Sequence, residues 1–426
     1  MNRRVVITGI GTVSALGCGL DTLWEACLRG ETGIGIIERF DPSEYKSHLG
    51  AEVDLDFDAS DRLDPKLMER ADPFARYACW ASDVAIEQAG LAIDDSNRAR
   101  VGVLIGSGIG GMTTWEEQFT RLIERGPNRV SPFLIPMMII DMASGMVSML
   151  TGAMGPNSAA VTACASGAHA IAHATDLIKL GRADAMITGG AEAGISQSAL
   201  SGFCSAGALS TRNDDPEHAC RPFDNDRDGF VMGDGATCMV IEALEHAVDR
   251  GAPILAEVFG IGLSGDAHHF TEPCPDGAGA ILAMQNALDD AGLVLNDIDY
   301  INAHGPGTPA GDYAMRLDMV SVDNTDEEYD KGPTVSFKVE ESKQPEPEGF
   351  PWWVLILVAV LLIALIGGAI WWFTRDSGGV SDTPPPATEE QTPAEPAGPE
   401  PLAGEDCLNF NRDNLTVRAD GNRFLI

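Results

Sequence analysis

Between Arg4 and Ala303 the chain alternates short apolar runs that end in glycine with stretches of helical periodicity. Arg4 to Gly9 is β-branched and closes on glycines. The helix-like DTLWEACLRG follows, with Asp21 placed as an N-cap and Gly30 as a stop. Phe74 to Gly90 repeats its apolar positions at helical spacing, Val101 to Ile105 is an apolar strand, and strand, glycine turn and helix recur from Ala159 to Gly181. Further buried strands are predicted over Asp184 to Ala191, Ala236 to Glu242 and Ile254 to Gly260, a helix over Gly279 to Gly292, and a strand over Tyr300 to Ala303. Such alternation predicts a mostly parallel sheet with helices on both faces.

After Met315 the pattern changes. The stretch 316–351 is acidic, carries few large apolar residues and reads as a linker. Every residue from Trp352 to Phe373 is uncharged, and tryptophans stand near both ends. At about 1.5 Å per residue this run is long enough for a hydrocarbon core of roughly 30 Å, so it is expected to be a transmembrane helix. Lys331, Lys338 and Lys343 precede it and Arg375 follows, which puts the N-terminal side in the cytoplasm of a single-pass membrane protein. Residues 374–404 form a Pro/Glu-rich stalk. Residues 405–426 alternate apolar and polar positions around Asp420-Gly421, a hairpin turn signal, and read as a short β fragment: either part of a small β domain cut short or a strand pair that needs a partner.

Composition narrows the function classes. With 28 basic and 64 acidic residues the net charge is −36, which repels nucleic acid. The 9 cysteines are odd in number and lack both CxxC pairs and zinc spacing, so most read as small buried apolar residues in a reducing compartment. The opening MNRRVVITGIG is broken by glycines and reads as a first strand rather than a signal peptide.

One cysteine differs from the rest. In AAVTACASGAHAIAHATDLIKLG an apolar strand turns at Cys164 directly into a helix that Gly181 closes. A thiol at a helix N-terminus meets free backbone amides and the positive end of the macrodipole, which favour the thiolate, and the small neighbours Ala163, Ala165, Ser166 and Gly167 leave room for a substrate. Elsewhere, His169 and His173 stand four apart on the same helix without an evident third metal ligand, so no metal site is expected. GSGIGGM at Gly106 to Met112 fits a GxGxxG register but lacks the acid-ended strand about 20 positions on. Its glycines are read as serving tight backbone packing.

The elbow TACASGAHA, the opening RRVVITGIGTVSALG, RPFDNDRDGFVMGDGA, SGDAHHFTEPCPDG and NAHGPGTPAGD together resemble, in order and spacing, the signature blocks of type II β-ketoacyl carrier-protein synthases from Arg3 to Asp312. The resemblance implies a thiolase-like layered α/β/α/β/α fold whose second half is incomplete, with the transmembrane helix and short β tail appended. It implies an N-terminal half over 1–252 and a partial C-terminal half over 253–315. It also implies an acyltransferase of fatty acid or polyketide synthesis with no cofactor, working on acyl carrier protein and forming a homodimer or heterodimer.

Carried over residue by residue, the resemblance makes Cys164 the acyl-accepting nucleophile and His304 the first of two enolate-stabilising histidines. Thr271 and Thr308 match the threonines that bind the pantetheine arm, and Lys66 and Arg70 match the basic positions that meet the carrier protein. The last block departs from the family pattern: Pro306 and Gly307 replace a Thr-Ser pair, and Met315 stands where an acid is usual. The family's lysine, its GHxxGAAG segment with the second histidine and its GFGG segment do not occur in residues 316–426. Impaired condensation is therefore expected, with a non-catalytic, membrane-tethered acyl-binding or partner subunit, or a fusion or gene-model artefact, as the alternatives.

Overall fold

A computed structural model describes residues 3–54, 57–309, 312 and 423–425. The chain enters through strand β1 (Val5–Ser14), the two-residue β2 (Gly17–Cys18) and helix α1 (Leu20–Leu28), then forms β3 (Gly35–Ile36), β4 (Leu49–Ala51), α2 (Pro65–Met68) and α3 (Pro73–Ala89). Strand β5 (Val101–Gly106), helices α4 (Met112–Arg125), α5 (Leu134–Met138) and α6 (Met142–Thr151), strand β6 (Asn157–Ala160) and helix α7 (Ser166–Lys179) follow. Next come β7 (Ala185–Glu192), α8 (Gln197–Ala206), β8 (Met232–Gly233), β9 (Gly235–Ala243) and α9 (Leu244–Arg250). Strand β10 (Ala256–Gly260), helix α10 (Ala278–Ala291) and β11 (Arg423–Leu425) complete the described elements.

Local chemistry explains where these elements begin and end. Asp72 caps α3 by accepting from the Phe74 N–H at 3.3 Å, Pro73 supplies the first-turn φ, and Gly90 ends the helix in the left-handed region at φ 60°. The predicted helix from Phe74 to Gly90 is thus formed.

The main sheet has the order β11-β10-β1-β9-β7-β5-β6, with β2 paired to β1, while β3, β4 and β8 make a small second sheet. Alternate residues of the main sheet face two apolar layers. Val103, Ile105, Ile187 and Val240 pack with the alanine-rich face of α3 and with α6, whereas Leu104, Met186 and Ile241 pack with Ala170, Ala174 and Ile178 of α7.

Two expectations change here. Strands β5, β6 and β7 are parallel, but β9 runs antiparallel to both β1 and β7, and β10 antiparallel to β1, so the sheet is mixed rather than mostly parallel. The reason lies in the connection: β9 is entered from the long excursion 193–234, which takes the place of a simple crossover helix and lets the strand return in the opposite sense. Residues 300–303 form no strand, and no second large sheet is present among the described residues for them to pair with. At the other end, β11 pairs in parallel with β10, Glu257 opposite Arg423.

Candidate active site at the β6 to α7 elbow

Cys164 lies in the single 3-10 turn, Ala163–Ala165, that joins β6 to α7, and it is exposed. Ser166 ties the turn from the helix side, its hydroxyl donating to the Ala163 carbonyl at 2.7 Å and accepting from the Thr162 N–H at 2.9 Å. Ala163 takes φ 52°, a left-handed value that costs a residue with a Cβ on the order of 1 kcal/mol. Close approach of three backbones holds the turn down. A Cβ on Gly106 of β5 would fall 2.1 Å from the Ser166 carbonyl oxygen, and one on Gly190 of β7 would lie 3.0 Å from Cα of Gly167. Only glycine permits α7 to start this near the sheet.

The loop after β5 completes the support. The Glu192 carboxylate, at the end of β7, accepts from the N–H groups of Gly108 at 2.7 Å, Ile109 at 3.0 Å and Gly110 at 3.3 Å, and from the Ser107 hydroxyl at 3.0 Å. The GxGxxG-like run therefore wraps a carboxylate of the protein itself. Its glycines also serve close packing, since a Cβ on Gly111 would fall 2.3 Å from the Met137 carbonyl oxygen.

His304 is exposed in an irregular segment whose loop is clamped from behind. The buried Asp312 carboxylate accepts from the Phe223 N–H at 2.6 Å and the Gly307 N–H at 2.9 Å. Arg227 donates to the carbonyls of Thr308 at 3.0 Å and Pro309 at 2.9 Å, and Gly229 donates to the Gly307 carbonyl at 3.0 Å. Phe223 is held at φ 63° and packs so closely on Gly305 that a Cβ there would lie 2.8 Å from its ring. The DNDRDGF loop and the loop of His304 and Thr308 are thereby one locked unit.

The other candidate residues are dispersed. Thr271 is exposed, and its N–H and hydroxyl both engage Nδ1 of His269 at 3.3 Å. Lys66 is exposed on α2, whereas Arg70 lies beyond that helix with its guanidinium 4.8 Å from the centre of the Phe133 ring. His169 and His173 face each other edge-on at 6.1 Å. Among the described residues no hydrogen bond joins Cys164 to His304 or Thr271. Glu192, Arg227 and Asp312 escaped the sequence reading as supporting residues. The quoted signature blocks contain Arg227 and Asp312, but their pairing spans about 85 residues and leaves no periodic trace.

An elbow cysteine on a layered α/β sheet, with a histidine on a separate locked loop, defines a covalent acyl- or group-transfer class of enzyme. Residues 2–247 match the family model "Beta-ketoacyl synthase, N-terminal domain" and residues 255–315 match "Beta-ketoacyl synthase, C-terminal domain". The chain belongs to the β-ketoacyl synthase family. It is 52% identical over 311 residues to 3-oxoacyl-[acyl-carrier-protein] synthase 2 of Staphylococcus aureus strain N315, a match covering 73% of this chain and 75% of that one. Among solved structures, a β-ketoacyl synthase from Burkholderia phymatum superposes with a TM-score of 0.68 at 37% identity, covering 73% and 76% of the two chains. A ketosynthase in complex with its type II acyl-carrier protein gives a TM-score of 0.67 at 30% identity over 74% and 76%.

These findings correct the expectation of a single-pass membrane protein. Among the described residues no helix is long and apolar enough to cross a membrane, and the relatives that account for 73% of the chain are carrier-protein synthases. Residues 352–373, on which that expectation rested, lie outside the described residues and outside both family matches.

Proposed function

We propose that the chain accepts an acyl group on Cys164 from acyl carrier protein and directs it toward condensation with a malonyl carrier protein, the second step being impaired. The observation that carries this reading is the position of Cys164, in a glycine-cushioned turn between β6 and the start of α7. The Cys164 thiolate attacks the acyl thioester carbonyl and the carrier's pantetheine thiolate leaves. Loss of CO₂ from the malonyl group then yields a carbanion, which attacks the Cys164 thioester and expels the Cys164 thiolate. His304 donates to the enolate oxygen during decarboxylation. Thr271 and Thr308 receive the pantetheine arm, and Lys66 and Arg70 meet the acidic carrier. We assign this work to a unit over 1–252 and a shortened one over 253–315.

The assay is incubation with labelled acyl carrier protein. Label is expected on the wild-type chain and is expected to fall to background in Cys164→Ala. Equal labelling of the two, or none on either, would overturn the assignment.

A second copy, or a related subunit, is the partner we assign to the edge of β6, which is unpaired among the described residues. Among the described residues that strand ends the sheet, and Met154 and Val161 on either side of it and Met149 on the neighbouring α6 are large, apolar and exposed. Sedimentation of the purified chain is expected to show a dimer; a monomer at micromolar concentration would remove the homodimer.

A further inference from the structure

We infer that Glu192 is a positioning residue for Cys164, acting through the 107–110 loop, and this inference rests on the reading of Cys164 as the acyl acceptor. Among the described residues Glu192 has no Arg, Lys or His partner. Its charge is met by three backbone N–H groups and one hydroxyl. That donor set is the kind of concave amide nest that binds free anions, filled here from within by the last residue of β7. Charge-assisted bonds of this sort hold the loop far more firmly than its own turn does, which consists of one bond from the Gly110 N–H to the Ser107 hydroxyl at 3.1 Å.

The loop held this way touches the elbow at two points along the chain, and Gly106, the last residue of β5 just before it, makes a third contact. Ser107 donates its N–H to the carbonyl of Ala160, the last residue of β6, at 3.2 Å. Gly108 packs on Ala163 so closely that a Cβ would lie 3.3 Å from both its Cα and its carbonyl oxygen, and the same Cβ would lie 3.2 Å from Glu192 Oε2. Gly106 lies under Ser166, as described above. Entry and middle of the turn that carries Cys164 thus rest on the loop that the Glu192 carboxylate anchors, and its exit rests on the end of β5 directly before that loop. Ala163 keeps an unfavourable φ, which persists only where the surroundings over-determine it, and this segment is what surrounds it.

Two physical roles for Glu192 predict opposite changes. If its charge acted on the thiol through space, removing it would ease thiolate formation and move the alkylation profile of Cys164 to lower pH, leaving the limiting rate unchanged. If it sets the geometry of the turn, removing it lowers the limiting rate at high pH, where the thiol is fully ionised, because displacement of a reacting group by about 1 Å can cost as much as roughly 10²-fold. In Glu192→Gln the amide has the same shape, yet its NH₂ group, standing where Oε1 is, can accept from neither Ser107 nor Gly110. Gly108→Ala reaches the same contact from the other side, keeping the charge of Glu192 while pressing on both Ala163 and the carboxylate.

The test is iodoacetamide alkylation of the full chain against pH, read by mass spectrometry at Cys164, with the exposed Cys27 as internal reference. Glu116→Gln is the matched control: Glu116 likewise accepts from a backbone N–H and a hydroxyl, both of Ser198 on α8, away from the elbow. Expected is a fall of about tenfold or more in the limiting rate at Cys164 in both Glu192→Gln and Gly108→Ala, with Cys27 and the Glu116→Gln control within twofold of wild type. A limiting rate within twofold of wild type in both variants, or a change confined to the pH midpoint, overturns the inference. If Glu192→Gln does not fold, Gly108→Ala decides alone. Wild-type chain that takes no acyl label while its alkylation still depends on Glu192 would remove the acyl-acceptor reading and leave the positioning role standing.

Discussion

Acylated chain supplied with malonyl carrier protein is expected to stall, forming β-ketoacyl product about 10²- to 10³-fold more slowly than a full-length 3-oxoacyl-[acyl-carrier-protein] synthase 2 assayed beside it. Transfer of the acyl group needs a thiolate and access, and Cys164 is exposed in its turn. Decarboxylation needs more: in the function proposed above a developing enolate oxygen calls for two donors, and His304 is the one assigned to it. Loss of one such donor removes about 3 to 4 kcal/mol of transition-state stabilisation. The measurement is a single-turnover chase of labelled acyl-Cys164. Persistence of the thioester with slow appearance of product is the expected result, and product formation at the rate of that relative would overturn the proposed impairment.

The second large effect lies in stability. Arg250→Ala is expected to destabilise the fold by about 3 to 5 kcal/mol, the usual cost of leaving a buried carboxylate without its partner. Glu242 is fully buried in β9. It accepts from Arg250 Nε at 2.8 Å and from the Thr8 hydroxyl at 2.5 Å, and it pairs with His246 Nδ1 at 2.6 Å. Arg250 also donates to the carbonyls of Ala89 at 2.9 Å and Gly90 at 3.1 Å, closing the C-terminal end of α3.

Burial alone would push the Glu242 carboxyl up; the hydrogen bonds from Arg250, His246 and Thr8 outweigh it and hold the group at about 2. A carboxylate depressed below its unfolded value contributes stability in full above that value, and the contribution is lost as pH falls through the folded one. The gap in melting temperature between wild type and Arg250→Ala should therefore be widest near neutrality and close between about pH 4.5 and pH 2. A gap that stays constant over this range would assign the loss to the capping of α3 instead.

Short-range order was legible because its causes are short-range. The periodicity of FARYACWASDVAIEQAG, bounded by Asp72-Pro73 and Gly90, suffices to predict α3, and the apolar run before Glu192 suffices to predict β7. The turn at Cys164 was legible for the same reason: strand, small residues and helix succeed one another within a few positions. The direction of β9 was not, because a strand carries no local mark of which neighbours it will pair with, and the excursion 193–234 decides it.

By itself, then, the sequence determined the α/β alternation, the elbow cysteine, the family blocks and the break after Met315, all of them properties of neighbouring residues. Only the tertiary structure decided that a glycine-rich run resembling a phosphate loop closes on Glu192, more than eighty residues downstream. It likewise decided that Asp312 and Arg227 lock the loop of His304 to the segment around Phe223. The physical reason is the same in both cases. A buried or half-buried charge takes whichever donors the fold brings within about 3 Å, and that choice leaves no pattern along the chain.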